Sequence, residues 1–592
     1  MIAHNFMKKP LIRLLKGVVN TLPKSVKQLL ADLSGLTAWY RKNLNQHYFE
    51  SYNFDSSART STYQDWCLKQ SAHTEHSDPQ VAIACVINAS TANRLEKLPD
   101  SLNSISNGSI QPSLVLVNAD SELKPQVLNL VGQCLCPSIT WAFADQTENV
   151  VEQALYCCFI NAGDRLAADA FAQLQYEVTQ HPNSSVIYAD HDYLNQHGER
   201  YLPQFKPAWN LDLQLTTHYV SNAGFWLLGC EELEGVLSAT DNLDNILYNL
   251  TVERALNGKS DISHTAKMLF HFDGNPTSHN LEALNLSSAN LASLGLSAGA
   301  VTFSNGCFNI SWPLPADKPL VSLIIPTKNA LKLVKSCINS ILEKTDYDNF
   351  EILLVDNQSD EPASLKYFER LSHHPKIRVI KYDAPFNYSA INNFAVEQAS
   401  GEIIALVNND IEVIDDNWLS EMVSHALRPS VGCVGAKLFY SDNTIQHAGV
   451  IIGYGGVAGH AHKHFPMHHS GYMNRLQAVQ NFSAVTAACL VVKKDIYHQV
   501  GGLNEQDLTV AFNDVDFCLK VQAAGYRNVW TPYARLYHHE SVSRGSDQSG
   551  AKLKRFEAEI DFMKNTWKTD IQPDPAYNPN LTLKREDFGL PE

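Results

Sequence analysis

The chain has 592 residues, more than one hydrophobic core usually supports, so two or three domains are expected. Its hydrophobic content of 44% is that of a folded globular protein and argues against general disorder. The formal net charge of −16 argues against a general nucleic-acid binder, because such a protein needs a basic surface. No apolar run is long enough to cross a bilayer, and the 12 cysteines lack metal-binding spacing, so we expect reduced thiols in the cytoplasm.

Residues 1–78 are predicted to form a basic helical arm. Within residues 1–50, apolar residues recur at helical spacing and basic residues far outnumber acidic ones. One interpretation is a surface helix attracted to anionic lipid headgroups, which would hold the protein peripherally on the cytoplasmic face of the inner membrane. The other is a helical hairpin packed on the body of the protein with its lysines solvated. Arg13 and Lys16 interrupt the apolar stretch, which argues against a secretory signal.

From residue 80, short apolar runs that end in polar residues alternate with segments of helical spacing. The runs are Val81 to Asn88, Ser113 to Asp120 and Tyr156 to Asp164. Such a pattern predicts the strands of an α/β sheet. It returns after residue 320, and a repeat of this long period predicts two copies of one domain.

Between the two copies, Gly274 to Ser311 is rich in Asn, Ser, Gly and Ala and carries little charge. This composition predicts one helix around Leu281 to Leu294 followed by an exposed connection, with a boundary near residue 315. The predicted domains after the arm are therefore residues 79–275, a linker of residues 276–315, and residues 316–592.

The second copy opens with four apolar runs, each typical of a strand buried on both faces. They are Val321 to Thr327, Glu351 to Asn357, Ile377 to Tyr382 and Glu402 to Asp410. Ligands of such sheets bind beyond the carboxyl ends of the strands. The polar residues that end the runs are expected to converge on one crevice: Thr327, Asn329, Asp356, Asn357, Asn408, Asn409 and Asp410.

The order of several motifs from Pro319 to Leu583 resembles a family 2 glycosyltransferase of the GT-A type, closest to the rhamnosyltransferase-like branch that builds polysaccharides. The motifs are Pro326-Thr-Lys-Asn329, Val355 to Ser359, Gly401-Glu402, Asn408-Asn-Asp410, Phe512 to Asp516, Thr531 to Ala534 and His538 to Gly545. Any one of them alone is a weak signal. The resemblance implies two tandem GT-A-like domains with mixed, mostly parallel sheets.

The resemblance implies an inverting, metal-dependent transferase that moves a sugar from a nucleoside diphosphate donor. The acceptor would be a growing cell-surface polysaccharide or a lipid-linked glycan, and the donor a dTDP-, UDP- or GDP-sugar, with rhamnose as one candidate. The residues implied for donor binding are Pro326, Thr327, Asn329, Asp356, Asn357, Asn408, Asn409 and Arg544. For Asp356 a helix or turn cap is the alternative role, and for Arg544 a surface salt bridge.

Asn408-Asn-Asp410 stands where the family has Asp-x-Asp, so Asp410 is its only ionisable residue. One carboxylate, diphosphate oxygens and water can still complete the shell of Mg²⁺ or Mn²⁺. The resemblance implies a late metal-binding histidine, either His538 or His539; neighbours on a strand face opposite ways, so only one can point inward. Packing or surface roles for both histidines are the alternative.

The motif Phe512 to Asp516 is predicted to begin a helix, with Asn513 as its cap. The resemblance implies that Asp514 is the general base, which would take the proton of the acceptor hydroxyl. Asp516 is the alternative, and both acids could merely offset the helix dipole.

The first copy is interpreted as degenerate, because Asn118 and Gly163 stand where the second copy has Asp356 and Asp410. The alternative is a second active site that uses Asp164, Asp190 or Asp192 on a metal. Asp241 to Asp244 could pass for a base motif, but its neighbours match poorly.

Two other functions are alternatives to the transferase. A sugar-phosphate nucleotidyltransferase needs a glycine-rich loop after the first strand, and Thr327 to Lys332 has no glycine. A non-catalytic glycan- or nucleotide-binding scaffold stays open, above all for the first copy.

Gly453 to Ala458 fits a dinucleotide fingerprint, but no helix is predicted after it, and the histidines from His460 to His469 lack zinc spacing. A loop closing over sugar and acceptor, with Gln446 and His447 at its base, is predicted there.

Overall fold

The computed structural model describes residues 57–70, 81–145, 154–239, 243–258, 261–274, 281–539, 550–570 and 572–591. The chain divides into two compact units, residues 1–69 and residues 70–592. In the first unit the described part is helix α1 (Ser57–Lys69). The basic stretch of residues 1–50 and Arg544 lie outside the described residues, so the predictions for them stand untested. In the part of the chain that is described, no helix has the length and hydropathy needed to cross a membrane.

The second unit contains two large sheets, and the first has nine strands in the order β3-β2-β1-β4-β8-β6-β9-β5, with β7 paired to β6. They are β1 (Ile83–Asn88), β2 (Leu114–Asn118), β3 (Thr140–Phe143), β4 (Leu155–Asn161), β5 (Arg165–Leu166), β6 (Ser184–Leu194), β7 (Arg200–Gln204), β8 (Gly224–Leu228) and β9 (Asp261–Asp273). A hairpin of β10 (Val301–Ser304) and β11 (Cys307–Ile310) follows.

The second sheet has ten strands in the order β14-β13-β12-β15-β22-β17-β23-β16, with β18 paired to β17 and β21 to β23. They are β12 (Val321–Thr327), β13 (Phe350–Asp356), β14 (Ile377–Lys381), β15 (Ile403–Val407), β16 (Ile411–Val413), β17 (Val431–Phe439), β18 (Ile445–His447), β21 (Gln480–Phe482), β22 (Cys489–Lys493) and β23 (Arg527–His538). A separate ribbon pairs β19 (Val450–Ile452) with β20 (Ala458–His460).

The two sheets repeat one topology. In each, the first four strands on the path are parallel, the next strand is antiparallel to its neighbours, and the path ends with a parallel pair and a short antiparallel strand. Strand β7 on β6 corresponds to β18 on β17. The predicted class, two tandem α/β units with mixed sheets, is therefore confirmed.

Helices cover both sheets. The first copy has α2 (Ala92–Leu95), α3 (Leu98–Ser106), α4 (Lys124–Cys134), α5 (Ala170–Gln180), α6 (Leu211–Thr217), α7 (Cys230–Ser238) and α8 (Leu243–Asn257). After α9 (Ser288–Ser293), the second copy has α10 (Leu331–Lys344), α11 (Pro362–Leu371), α12 (Tyr388–Gln398), α13 (Trp418–Ala426), α14 (Lys494–Gln499), α15 (Asn513–Ala523) and α16 (Gly550–Trp567). Because helices lie on the faces, strands such as β12 and β15 are buried along their whole length, as their apolar runs predict.

The linker differs from its prediction. In place of one helix around Leu281 to Leu294, a 3₁₀ turn (Leu281–Leu284) precedes the short α9, and the β10–β11 hairpin follows where an exposed connection is expected. Leu291, Phe308 and Ile310 are buried in a small core together with Tyr248 of α8. The apolar residues of this segment are interspersed with Ser, Asn and Gly, without a clear helical or strand period, so its packing against α8 could not be foreseen from the sequence.

Polar contacts join the two copies. Asp212 at the start of α6 forms buried ion pairs with Arg428 (2.6 Å) and Arg527 (3.0 Å) of the second copy. Beside it, the side-chain oxygen of Asn210 accepts a hydrogen bond from the backbone nitrogen of Asn481 (2.9 Å). Burial by itself raises the pKa of Asp212, but the two guanidinium groups outweigh it and hold that pKa well below its usual value. The interface therefore contains a charged carboxylate enclosed by two arginines.

Candidate active site

The carboxyl ends of β12 and β13 meet at the predicted crevice. Thr327 is paired in register with Asp356, and Pro326 with Val355. Oδ1 of Asp356 accepts a hydrogen bond from the backbone nitrogen of Ser359 (3.0 Å), which is the turn contact expected of a cap. This bond leaves the second carboxylate oxygen for another partner, so a capping role and a binding role are compatible in Asp356.

Two predicted binding residues hold the loops around this crevice. Asn329 has a left-handed backbone (φ 53°), and its Oδ1 accepts hydrogen bonds from the backbone nitrogens of Asp360 (2.9 Å) and Glu361 (3.0 Å). Nδ2 of Asn357 donates to the carbonyl oxygen of Ala384 (2.8 Å). The side chains of Asn329 and Asn357 therefore shape the rim of the crevice.

The triplet that follows β15 connects the crevice to the end of β23. Nδ2 of Asn409 donates to the hydroxyl of Thr327 (2.9 Å), and Nδ2 of Asn408 lies 3.1 Å from Nε2 of His538. The same Nε2 atom lies 3.2 Å from Oδ1 of Asp410, and both side chains are nearly buried. The structure thus brings together Asp410 and His538, which the sequence places in two separate motifs.

His539 points away from this pair. Its Nε2 lies 2.9 Å from Oε2 of Glu412, and its Nδ1 lies 2.7 Å from the hydroxyl of Ser441. The backbone nitrogen of His539 donates to the carbonyl of Asp410 (3.0 Å), but of the two imidazoles only that of His538 contacts the Asp410 carboxylate, as the alternation of side chains along a strand requires. Nδ1 of His538 lies 2.7 Å from Nε2 of Gln446, which fixes the orientation of the ring.

The two acids at the start of α15 have different surroundings. Asp514 lines a cavity of about 390 Å³, and its Oδ2 accepts a hydrogen bond from the backbone nitrogen of Ala487 (3.1 Å). Asp516 is buried, forms an ion pair with Lys520 and accepts a hydrogen bond from the indole of Trp567 (2.9 Å). Asp514 therefore faces the space where a ligand can bind, and Asp516 secures α16 against α15.

The start of α15 corrects one prediction. Asn513 is the first residue of the helix rather than its cap, and its side chain donates to the carbonyl of Val510 (3.0 Å). Phe512 occupies the cap position with a left-handed backbone (φ 58°) and stacks on Phe556 of α16. The strained backbone at Phe512 turns the chain so that Asp514 faces the cavity.

Tyr388 links the two ends of the site, a role that the residues around it in the sequence do not indicate. Its hydroxyl lies 3.2 Å from Oδ1 of Asn408 and 3.2 Å from the carbonyl oxygen of Ala487. Tyr388 follows the helix cap Asn387, an ordinary helix start in the sequence. With Asn408 and Asp514 it lines the same cavity, which Thr486, His460 and Phe556 also border. Tyr388 therefore connects Asn408, which contacts His538, to Ala487, whose backbone nitrogen donates to Asp514.

A divalent ion would find two side-chain donors here. Within the described residues no group of three or more histidine, cysteine, aspartate or glutamate side chains is arranged to hold a metal. One carboxylate and one imidazole, 3.2 Å apart, suit Mn²⁺ when diphosphate oxygens and water complete the shell. Nearby, burial lowers the pKa of His447 well below its usual value, and His460 and His538 lower it further. His447 therefore adds no positive charge to the site at neutral pH.

The segment after β19 folds as a turn and a strand, and not as a dinucleotide site. A 3₁₀ turn (Tyr454–Gly456) follows β19, so no helix amino terminus is available to bind a pyrophosphate. The histidines beyond it pack on aromatic rings: His462 stacks on Phe588 and His464 on Tyr440. These contacts explain the histidines without zinc.

The acids proposed for an active first copy are occupied by internal contacts. Asp190 accepts hydrogen bonds from the backbone nitrogen of Lys206 (2.9 Å) and from Asn578 (2.8 Å). Asp192 lies 2.6 Å from both Arg200 and His271. Both carboxylates are fully buried, so neither can reach a metal-bound diphosphate.

Comparison with known proteins identifies the second sheet. Residues 322–500, from β12 to the end of α14, match the model of the family described as Glycosyl transferase family 2. This segment is a family 2 glycosyltransferase domain. The transferase domain thus carries Asp356, Asp410 and the cavity wall at Ala487, and the chain beyond it adds Asp514 and His538.

Two bacterial proteins are similar to this chain over about three quarters of its length. The "Uncharacterized protein y4gI" of Sinorhizobium fredii is 44% identical over 460 residues, 74% of this chain and 50% of the relative. The "O-antigen biosynthesis protein RfbC" of Myxococcus xanthus is 34% identical over 445 residues, 73% of this chain and 34% of the relative. The chain therefore spans half or less of the length of these relatives.

Among solved structures, the mannosyltransferase PcManGT of Pyrobaculum calidifontis, in complex with GDP-Man and Mn²⁺, is 17% identical, with a TM-score of 0.33. The alignment covers 45% of this chain and 70% of that one. GalNAc-T7 with UDP, GalNAc and Mn²⁺ is 14% identical, with a TM-score of 0.35, and the alignment covers 43% of this chain and 50% of that one.

Proposed function

We propose that the transferase domain moves a sugar from a nucleoside diphosphate donor to a hydroxyl of a saccharide acceptor, with inversion at the anomeric carbon. One observation carries the proposal. Asp514 and Asn408 line the same cavity, and Asn408 touches His538, which pairs with Asp410. The carboxylate of Asp514 therefore borders a space of about 390 Å³, and the Asp410–His538 pair lies behind Asn408, which lines the same space.

The donor would lie along the carboxyl ends of β12 and β13. Asp356 can accept the imide proton of a uracil or thymine ring, and the backbone around Pro326 would line the other side of the base. The diphosphate would then approach Asp410 and His538. A divalent ion held there, Mg²⁺ or Mn²⁺, would supply positive charge opposite the leaving diphosphate.

Asp514 would act on the acceptor. Its carboxylate takes the proton of the acceptor hydroxyl while the oxygen attacks the anomeric carbon from the face opposite the diphosphate. One bond forms between acceptor oxygen and anomeric carbon, and the bond from that carbon to the diphosphate oxygen breaks. A single displacement of this kind inverts the configuration. The hydrogen bond from the Ala487 backbone holds the carboxylate in position for this step.

The product would be a cell-surface polysaccharide or a lipid-linked glycan. The printed name of the Myxococcus relative, an O-antigen biosynthesis protein, supports this class of product. Rhamnose from a dTDP donor is one candidate sugar, alongside UDP- and GDP-sugars. The shape of the cavity around Tyr388 and Phe556 would select among them.

The test is a screen of nucleotide sugars. The full chain is incubated with dTDP-, UDP- and GDP-sugars in Mn²⁺, Mg²⁺ or EDTA, and thermal stability and release of nucleoside diphosphate are measured. We expect one nucleotide class to raise the melting temperature only with the metal, and slow release of its diphosphate. Asp356→Asn should weaken that shift. A protein that no donor stabilises and that releases no diphosphate would not be this transferase.

A further inference from the structure

The first sheet also has a cavity at the carboxyl ends of its parallel strands, with a volume of about 380 Å³. Half of its polar lining residues are asparagines from β1, β2, β4 and the segment before β8: Asn88, Asn118, Asn161 and Asn222. Phe159 and Phe272 contribute apolar surface. Amide and aromatic groups are thus combined in one cavity.

This cavity is the counterpart of the transferase crevice. Asn88 is paired with Asn118 at the ends of β1 and β2, just as Thr327 is paired with Asp356 at the ends of β12 and β13. Asp244 is the second residue of α8 and lines the cavity, as Asp514 is the second residue of α15. The carboxylate of Asp244 therefore occupies the position that corresponds to Asp514. The residues around Asp244 match the base motif poorly, so the sequence alone did not indicate this correspondence.

Asn222 also has a counterpart. It lies two residues before β8, where the second copy has Ala487 two residues before β22. The exchange of alanine for asparagine places an amide in the cavity beside Asp244.

The charges of this cavity do not suit a metal-bound diphosphate. Asp164 immediately precedes β5 as Asp410 immediately precedes β16, so Asp164 and not Gly163 is the counterpart of Asp410, which corrects the alignment predicted from the sequence. Its two oxygens accept hydrogen bonds from the backbone nitrogens of Asn161 (2.7 Å) and Asp273 (2.8 Å). Asp273 itself forms an ion pair with Lys97. With Asp244, three carboxylates face one lining guanidinium, Arg94, so a diphosphate would meet net negative charge.

A neutral ligand with hydroxyl groups suits it better. Asn222 is only 4% exposed, and its Oδ1 has no hydrogen-bond partner in the described residues. A buried acceptor left without a partner destabilises the folded state, and a hydrogen bond from a ligand hydroxyl would remove that penalty. Asparagine amides both donate and accept, which matches sugar hydroxyls, and aromatic surface suits the C–H faces of a sugar ring.

We propose that the cavity lined by Asn88, Asn118, Asn161 and Asn222 binds a neutral saccharide without a metal ion. The first copy would then be a carbohydrate-binding module that has kept the crevice of its transferase twin and lost its ion site. This binding does not depend on whether the second crevice transfers sugar. It adds a second saccharide site to the chain.

The experiment uses the full chain in EDTA and saturation-transfer NMR with glucose, galactose, mannose, N-acetylglucosamine, N-acetylgalactosamine and rhamnose. We expect at least one of them to receive saturation from the protein. Asn222→Leu keeps the size of the side chain and removes the amide, and it should weaken that sugar's affinity about tenfold, the effect of one or two hydrogen bonds. Asn118→Leu, at an exposed position, should weaken it without disturbing the fold. Asn103→Leu, at an exposed asparagine of α3 that does not line the cavity, is the matched control and should leave the affinity unchanged.

Three results would overturn the proposal. The first is that no sugar of the panel receives saturation. The second is a signal that persists at full strength in both Asn118→Leu and Asn222→Leu. The third is displacement of the sugar by UDP, GDP or dTDP with Mn²⁺ in a protein whose second crevice is disabled by Asp356→Asn and Asp514→Asn, because that would make the first cavity a nucleotide site.

Discussion

His538 lies with its Nε2 atom 3.2 Å from Oδ1 of Asp410. Strands β16 and β23 run antiparallel and pair Ile411 with His538, so the residue before β16 and the last residue of β23 become neighbours. The imidazole of His538, which belongs to a distant motif, thereby lies next to Asp410, the single acid of the triplet Asn408-Asn-Asp410. This contact is the basis of the first prediction.

Replacing Asp410 or His538 by alanine should weaken Mn²⁺ binding in the presence of donor by about tenfold or more, since each supplies one of two side-chain donors. Manganese titration followed by electron paramagnetic resonance measures this. His539→Ala is the matched control, because His539 contacts Glu412 instead. Equal losses from His538→Ala and His539→Ala would contradict the assignment.

Asp514→Asn should lower kcat by about 10²–10⁴-fold, the usual contribution of a general base, with little change in donor affinity. Transfer rates and a donor-induced thermal shift measure the two effects. Asp516→Asn is the comparison, since this acid pairs with Lys520 and Trp567. It should lower the melting temperature but leave the folded protein active. Full activity in Asp514→Asn would exclude this residue as the base.

Asp212→Ala should destabilise the protein by about 3–5 kcal/mol, because it leaves the buried Arg428 and the partly buried Arg527 without their shared partner. Urea unfolding followed by tryptophan fluorescence measures the free energy. Asp415→Ala removes the more exposed pair with Arg535 and should cost no more than about 1 kcal/mol. Similar losses in both variants would show that the interface charges contribute no more than surface charges.

Asp574 should make stability depend on pH. Burial raises its pKa to about 6 from the ordinary 3.8, although hydrogen bonds from Ile452, Ser483 and Ala576 oppose the shift. The native state therefore binds this proton more tightly than the unfolded state, so the free energy of unfolding falls as pH rises from about 4 to about 6, by roughly 3 kcal/mol at most.

Urea unfolding at several pH values between about 4 and about 7 tests this slope. The Asp574→Asn variant has no titrating group at this position, and its stability should decline less than that of the wild type over the same range. Parallel pH profiles for the two proteins would mean that Asp574 does not titrate in this window.

Much of the second sheet was predictable because its strands are short, apolar and separated by amphipathic helices. The crevice followed from where such runs end, so Thr327, Asp356 and Asn409 could be placed together. The inward direction of the His538 side chain could not be predicted, since the alternation of side chains along a strand does not say whether His538 or His539 faces the core.

Other features depend on contacts between distant segments. Tyr388 begins an ordinary helix, and only the approach of Ala487 and Asn408 makes it part of the site. Asp190 and Asp192 look like free acids in sequence, yet their partners come from β7, β9 and the region near Asn578. A local pattern carries no information about such partners.

Nδ2 of Asn578 donates to Oδ2 of Asp190, across a sequence separation of 388 residues, and Asn580 donates to the carbonyl of Ala266. During synthesis the amino-terminal sheet leaves the ribosome long before these asparagines exist. Until Asn578 is synthesised, the carboxylate of Asp190 lacks one of its hydrogen-bond donors, so the hydrogen bonding of the first copy is incomplete. The hydrogen bonding of the earliest-made sheet is thus completed by a segment that is synthesised late.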